Sequence, residues 1–546
     1  MNPAFPTAAA WPARNASVTA GYRAPALLAT VLVPLGAVLA DYLFYGEKSG
    51  FNFLAFTIFV LAVQLGRLPR HAAVWRSKAF QAGLAGSLLG AGLVAWYGST
   101  AAVLACLVSV LLVLGTLNQP SLRLLGYALL TALSSGWLAL AAVVRTWRQP
   151  LPAGAGGRPR LRRAWFYGRL LAVPLGLLIV FHLLFAAANP VYDELSGRVL
   201  AAVREWLARL LPSISVTHLL FFGLCFFLSA GALVLVPVHY FADHESRLGE
   251  FISRQRDRVA SFGVRRPDFQ LRRFRSLDLR KEYYVALTVF SLLNALLLVV
   301  NIIDLNLLWF GFVPAPGFDL TQFVHEGTYV LIVSILLAAG IMLWFFRRNL
   351  NFYAPGRRWL RAGATVWLAQ NAVLAISVGL RNYYYILHTG LAYKRIGVCF
   401  FLLLTLFGLG TVLLKIWQRR SAFSLFRLNA WAAYAVLLVL AAGNWEVWMA
   451  RYNLQPRFRT LDIGFLLRMP PRVLPVLLAR QAVLAQMPGL VSENAYGSYQ
   501  ALPLAEAQAA LHRKTADFRR DHATRPNWQS RTVSEWLVNK ELNGHD

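Results

Sequence analysis

Apolar positions along this chain come in long blocks, not in the alternation of a half-buried strand or the narrow stripe of a soluble helix. The blocks run near 25–45, 51–66, 79–97, 99–118, 124–144, 170–188, 216–238, 283–303, 326–346, 363–381, 396–416 and 429–448. A helix rises about 1.5 Å per residue and the hydrocarbon core of a bilayer is about 30 Å thick, so about 20 apolar residues cross it. The pattern predicts an all-α fold, a polytopic transmembrane helical bundle of about twelve spans. The second block is short. The stretch from 79 to 144 is so evenly apolar that its partition is open by one helix, and within it Gly86 and Gly90 form a GxxxG suited to close helix packing.

Near 450 the composition changes to an ordinary soluble mixture. Residues 461–478, 502–522 and 532–542 read as short helices, and Thr532 followed by Glu535 matches a capping box. The expected division is an N-terminal segment 1–24, a first bundle of about five helices over 25–144, a basic Pro/Gly-rich linker 145–169, a second bundle of about seven helices over 170–449, and a soluble helical tail 450–546. In the connection after the sixth block, Leu195, Val199, Val203, Trp206, Leu207 and Leu210 recur at helical spacing opposite Arg198, Glu205 and Arg209. That pattern suits a helix lying in the membrane interface. The two halves show no internal repeat, which weighs against an inverted-repeat transporter.

Composition sharpens the class: 58% of residues are hydrophobic, 14% are charged, and the mean hydropathy is +0.51. The formal net charge of +30 would suggest nucleic acid in a soluble protein, but the basic residues flank apolar blocks and form no nucleic-acid module. They are expected to fix topology and to meet anionic lipids at the cytoplasmic face. Lys and Arg concentrate in the odd-numbered connections, above all Arg145 to Arg169 and Arg247 to Lys281, which predicts those connections to be cytoplasmic. The N-terminus, the even-numbered connections and the tail then lie outside. Arg67, Arg70, Arg76 and Lys78 vote locally against this map, and a helix miscounted among the first five would reconcile them. The N-terminus lacks a cleavable signal pattern, so the first span is expected to insert uncleaved. Cys106, Cys225 and Cys399 sit inside apolar blocks and read as small hydrophobes.

Chemical motifs are sparse. The chain has no phosphate-binding Gly-rich loop, no nucleophile elbow and no CxxC pair. His325 and Glu326 begin like a zinc-protease HExxH, but Tyr329 stands where the second imidazole is needed. No catalytic residue, metal site or cofactor is assigned, which favours a non-enzymatic role.

Polar residues at membrane depth are a better guide, because an ionisable group there costs free energy unless it is paired or faces water. Asn301 and Asp304 end the eighth span, and His325 and Glu326 start the ninth. Arg381 and Asn382 end the tenth, Lys394 and Arg395 start the eleventh, and Asn444 and Glu446 end the twelfth, so the map gathers them at one extracytoplasmic mouth. Gln370 and Arg381 are nearly three whole turns apart and share a face, as do Asn371 and Asn382. With His388, and with Tyr329, Tyr383, Tyr384, Tyr385 and Tyr393 as aromatic lining, these residues define a candidate polar pocket. The competing reading is of helix-end residues snorkelling to the interface and structural ion pairs such as Glu326 with Arg381.

The segments VHEGTYVLIVSILLAAGIML, RNYYYILHTGLAYKRIGVCFFLLLTLFGLGTVLLKI and NWEVWMARYNLQPRFRTLDIGFLLRMPPRVLPVL carry a family resemblance. Over roughly 280–480 the chain resembles an uncharacterised bacterial multi-pass membrane protein family, the domain of unknown function 4153/4173 group. The resemblance implies a bacterial inner-membrane protein and carries over no activity, cofactor or catalytic residue. The leading expectation is an envelope sensor or scaffold whose tail and polar mouth meet a ligand or a protein partner. The alternatives are a small-molecule or ion transporter, and a lipid-linked glycosyl or acyl transferase built on Asp304 and Glu326. Asp41, near the cytoplasmic end of the first span in this map, argues against the transferase.

Overall fold

A computed structural model describes residues 22–148, 189–210, 215–252, 279–310, 320–346, 349–353, 355–458, 460–487, 489–493, 499–524 and 527–543, with scattered positions between 174 and 188. Side chains at 190, 200, 203–210, 279–280, 320–331, 349 and 493 are outside that description. The linker from 149 onward and most of the sixth apolar block therefore lie outside the described residues.

The apolar blocks fold as helices. In chain order they are α1 (Val33–Phe44, led in by a π-turn at Leu28–Leu32), α2 (Phe51–Leu65), α3 (Lys78–Tyr97), α4 (Thr100–Asn118) and α5 (Leu125–Trp147). The helix α6 (Pro190–Leu210) follows, then α7 (Val216–Leu233), the short α8 (Tyr240–Ser246), α9 (Leu279–Asp304), α10 (Leu320–Phe345), α11 (Arg357–Thr389), α12 (Tyr393–Gln418) and α13 (Ala422–Ala442). Serines punctuate this series. Ser77, Ser99, Ser215 and Ser421 each accept a backbone N–H of the first turn, at the starts of α3, α4, α7 and α13.

Among the described residues, eight helices are long and apolar enough to cross a membrane: α3, α4, α5, α7, α9 with its π-turn extension to Trp309, α11, α12 and α13. Leu28–Phe44, Phe51–Leu65 and Ile332–Phe345 are shorter apolar helices. Eight spans thus stand where about twelve were expected, because three blocks form shorter helices and the block at 170–188 is outside the description.

Two compact units emerge from the packing, neither a continuous stretch of chain: Met1–Glu47, Ile58–Arg70 and Ala132–Val238 form one, and Lys48–Thr57, His71–Thr131 and His239–Asp546 the other. Within the first, Gly136 and Gly231 bring α5 and α7 into backbone contact, and Gln64 Nε2 donates to Ala232 O at 2.6 Å. His218 Nε2 lies 2.8 Å from Asp41 Oδ2 with Tyr45 stacked on the imidazole, a pair the sequence reading did not join.

Within the second unit, α3 and α4 form a tight hairpin. A Cβ on Gly86 would strike Tyr434 Oη and Ser109 Oγ, and one on Gly90 would press on the Cys106 backbone, so the GxxxG does the close packing expected of it. The hydroxyls of Ser109 and Tyr434 meet at 2.7 Å between α4 and α13. Gly98 adopts φ +62 to end α3.

The tail continues through α14 (Trp445–Asn453), β1 (Thr460–Asp462), α15 (Ile463–Arg468), α16 (Leu474–Ala479), α17 (Gln481–Gln486), β2 (Gly489–Glu493), β3 (Tyr499–Ala501), α18 (Leu504–Thr524) and α19 (Val533–Asn543). The sheet was not expected. β1 pairs parallel with β2, which pairs antiparallel with β3, and strands of three to five residues carry no readable alternation. Thr532 and Glu535 exchange the two bonds of the expected capping box, at 3.3 Å and 3.2 Å. The tail's core, with Leu461, Leu466, Leu474, Leu477, Leu511 and Phe518, is continuous with Ile396 of α12 and Met449 and Ala450 of α14, so the tail is seated on one end of the second unit's bundle.

That seating corrects the topological map. Residues 48–51 and Tyr97 bond to the tail, through Lys48 N to Ser530 Oγ, Phe51 N to Arg531 O and Arg472 Nη1 to Tyr97 O. The first and third connections therefore lie at the tail end, where strict alternation had placed them opposite. Gln119 and Arg123 bond instead to His239 and Glu245, and Glu250 joins Arg427 and Ser421. Arg123 and His239 stand at one end of this unit, where strict alternation had put them on opposite sides. With this slip removed, Arg76 and Lys78 at the start of α3 join Arg123, Arg247, Arg357, Arg358, Arg419 and Arg420 at the end away from the tail. Their dissent from the basic-side rule disappears.

Candidate functional site

Three side chains of α9 face α11 across a polar seam. Asn294, Asn301 and Asp304 are seven and ten residues apart, close to two and three turns, so they share one face. Gln370 Nε2 donates to Asn294 Oδ1 at 2.8 Å, and Asn294 Nδ2 donates to Gly363 O at 3.0 Å. Asn301 Nδ2 donates to Gln370 O at 3.1 Å. One turn beyond, Arg381 Nη2 lies 2.6 Å from Asp304 Oδ1, with both side chains almost wholly buried. Two charges at this depth are tolerable only as a pair, because desolvation of either alone costs several kcal/mol, on the order of 3–5 when one partner is removed.

The three carboxamides are oriented by their donors: each nitrogen is spent on a carbonyl-type oxygen, so none of them gains by flipping. Among the described residues, Asn301 Oδ1, Asp304 Oδ2 and Gln370 Oε1 are left without a hydrogen-bond partner. Toward the basic end the seam stops. Phe290 packs on Phe345 at 5.6 Å and on Trp367 at 5.6 Å, with Phe346 stacked at 6.3 Å, and these rings floor the polar stretch. From Asn294 to Asp304 the seam covers about 15 Å of helix, about half the hydrocarbon thickness.

A second group forms where the tail meets the bundle. Glu446, at the start of α14, accepts from Tyr393 Oη at 3.0 Å, and its Oε2 lies 2.6 Å from Arg472 Nη2. The Arg472 guanidinium also donates to Tyr97 O at 2.9 Å and sits 5.2 Å from the centre of the Tyr97 ring. One buried ion pair therefore ties α14, α12, the end of α3 and the tail together. Nearby, Asn453 clasps the α11–α12 turn, accepting from Leu391 N at 2.6 Å and donating to Leu391 O at 2.9 Å. Gly390 in that turn has φ +86, and a Cβ there would meet Asn453 Oδ1, so glycine is required twice over.

The remaining candidates fall at that same turn. Asn382 Nδ2 donates to Arg395 O at 3.0 Å and approaches Cys399 Sγ. Arg395 lies over the Tyr385 ring at 4.2 Å and donates to the carbonyls of Thr389 and Gly390. His388 Nδ1 is 2.8 Å from Tyr384 O, and His388 and Lys394 are exposed. His325, Glu326 and Tyr329 lie on α10, but their side chains are outside the described residues. Arg381 pairs with Asp304, which commits one member of the acidic pair the transferase reading needs, while the expected pairing of Arg381 with Glu326 lies outside the described residues. Asn371, read as sharing a face with Asn382, turns back on its own helix and donates to Trp367 O.

Sequence reasoning missed Asn294 and Arg472. Asn294 was legible as a polar residue in the middle of an apolar block, two turns before Asn301. Arg472 was not, because nothing in MPPRVLP announces a contact to Glu446.

These features define an integral membrane protein of the helical class, with a polar seam in one helix pair and a folded tail locked to the bundle. The chain belongs to the family described as domain of unknown function (DUF4153), whose model matches residues 79–479. That match takes in the seam and the Glu446–Arg472 pair and stops before α18. No curated protein and no solved structure matches the chain.

Proposed function

We propose that the protein acts in the bacterial inner membrane as a sensor or scaffold, whose tail covers the extracytoplasmic end of the bundle and passes binding events there to the polar seam. The observation that carries this reading is the Tyr393–Glu446–Arg472–Tyr97 junction, because it makes tail docking and bundle packing a single cooperative contact. The orientation is supported by the basic residues at the opposite end, where anionic lipids would meet them. The polar residues at the tail end supply the outward-facing pocket. The test is hydrogen exchange on Arg472→Ala in nanodiscs. Faster exchange in the tail and also around Asn301–Asp304 and Gln370–Arg381 is expected, and a change confined to the tail overturns the reading.

One observation favours a transporter as the second reading: the seam carries polar groups to about mid-membrane. Transport requires the aromatic floor at Phe290 to open. A cysteine at position 290, in a chain freed of its native cysteines, would then react with an impermeant thiol reagent from the basic side. Protection of that cysteine leaves the sensor reading in place.

A further inference from the structure

At the end away from the tail, the start of α11 and the turn from α12 to α13 present arginines that have no counter-ion. Arg357, Arg358 and Arg361 lie in the first turns of α11, and Arg419 and Arg420 follow the last residue of α12. Among the described residues none of the five forms an ion pair. Arg357 and Arg361 stand one turn apart on one face of α11, and both Arg357 and Arg419 act on Arg361 as like charges. One turn before Arg419, Lys415 is 2% exposed; its ammonium donates to Arg420 O at 3.0 Å and has no carboxylate either.

The carboxylates at this end do not offset the cluster. Glu250 is held by both terminal nitrogens of Arg427, at 2.5 Å and 3.1 Å, and Glu245 accepts from Arg123 N and Leu124 N at the start of α5. Glu282, in the first turn of α9, forms no ion pair among the described residues, and Asp243 is matched by Arg247 one turn on. Counted formally, with no credit for these commitments, Glu245, Glu250 and Glu282 face the five arginines, Lys415, Arg427 and Arg123. Eight cations against three carboxylates leave a lining that is cationic on any count.

Two of the guanidiniums are held in place with donors to spare. Arg361 Nη2 donates to Trp417 O at 3.3 Å and its guanidinium lies 5.7 Å from the centre of the Trp417 ring, while the indole N–H is itself fixed on Thr365 Oγ1 at 3.2 Å. Arg419 lies over the Phe352 ring at 4.9 Å. A guanidinium carries five N–H donors in a planar fork that fits phosphate oxygens, and Arg361 spends one of its own. Among the described residues Arg419 is also the single non-glycine residue with a positive φ, +53, at the C-cap of α12. Glycine serves that conformation without steric cost, so what arginine adds there is its side chain. Trp344, Trp359 and Trp417 are exposed at the same end, as expected of residues level with lipid headgroups.

We propose that Arg361 and Arg419, flanked by Arg357, Arg358 and Arg420, bind the phosphate of one anionic phospholipid, which supplies the counter-ion the chain lacks. A fixed pair of guanidiniums distinguishes this site from the diffuse attraction of a basic surface for anionic lipid. Neither the tail nor the polar seam contributes to it, so it stands or falls separately from the sensor reading.

The test uses the full chain in nanodiscs of phosphatidylcholine, with and without phosphatidylglycerol, read by native mass spectrometry and by thermal denaturation. One phosphatidylglycerol retained per chain is expected, together with a higher Tm when that lipid is present. Arg361→Gln and Arg419→Gly should each weaken retention roughly tenfold or more, the worth of one charge-assisted hydrogen bond. Arg419→Gly also relieves the positive φ, so in phosphatidylcholine alone it should melt no lower than the native chain while losing the gain from phosphatidylglycerol. That combination separates lipid binding from folding. Undiminished retention in both variants overturns the proposal. So does an equal loss in Arg76→Gln, an exposed cation at the same end but outside the site, because it would mean diffuse charge. Tight binding of inorganic phosphate in phosphatidylcholine nanodiscs, with no retention of phosphatidylglycerol, overturns it in favour of a free anion.

Discussion

Arg472 Nη2 stands 2.6 Å from Glu446 Oε2, and each side chain is less than a tenth exposed. A pair so enclosed stabilises the fold little against an apolar substitute, but loss of one partner leaves a charge buried alone. Arg472→Ala or Glu446→Gln should therefore lower stability by about 3–5 kcal/mol and release the tail. The double variant Glu446→Leu with Arg472→Met should recover most of that loss. Thermal denaturation with limited proteolysis of the tail would measure both effects, and singles no worse than about 1 kcal/mol would show that the contact is not buried in the membrane-bound protein.

The same logic separates structure from function in the seam. Arg381→Leu leaves Asp304 uncompensated at membrane depth and should destabilise by about 3–5 kcal/mol, while Asp304→Leu combined with Arg381→Leu should be far milder. If the double variant is stable and still loses a cellular phenotype, the polar groups serve more than folding. A stable double variant with wild-type behaviour would leave the pair a packing device.

Lys514 gives the tail a pH signature of unusual sign. Its folded-state pKa is depressed to about 8, below the ordinary lysine value of about 10.4. Between those values the unfolded chain binds more protons, so stability rises with pH. The tail should become more resistant to denaturation from pH 8 to pH 10, and Lys514→Met should remove that rise. A flat or falling profile in the native chain would mean that the ammonium is better solvated than its contacts with Leu467 O and Met469 O suggest.

Much of this molecule could be read from its sequence because a bilayer makes the code simple. The lengths of α3, α4 and α7, the GxxxG of Gly86 and Gly90, and the capping box at Thr532 are local signals set by local physics. The seam was half legible: Gln370 and Arg381 share a face by spacing alone, but their partners Asn294 and Asp304 sit 76 and 77 residues away and depend on how α9 meets α11. The three-stranded sheet was illegible, since β1 finds β2 across four intervening helical segments and neither strand is amphipathic. Arg472 belongs with the sheet. Its role is created by the docking of the tail, which no periodicity encodes.

Topology offers the sharpest discrimination, because strict alternation of the apolar blocks and packing give opposite answers for the first half of the chain. Strict alternation over all the apolar blocks puts a reporter at residue 99 on the cytoplasmic side and one at 121 outside. Packing reverses both: Gly98 lies under Thr532 of the tail, and Arg123 N donates to Glu245 Oε1 beside the basic end. Fusions at 99, 390 and 500 should report from one side, and fusions at 121, 250 and 420 from the other. Lys and Arg crowd the second set, so that set is expected inside. A reporter at 99 that sides with 121 would break the α3–α4 hairpin as a pair of crossings. One at 99 that sides with 420 would detach the tail from the end of α3, and with it the contact of Arg472 to Tyr97 on which the sensor reading rests.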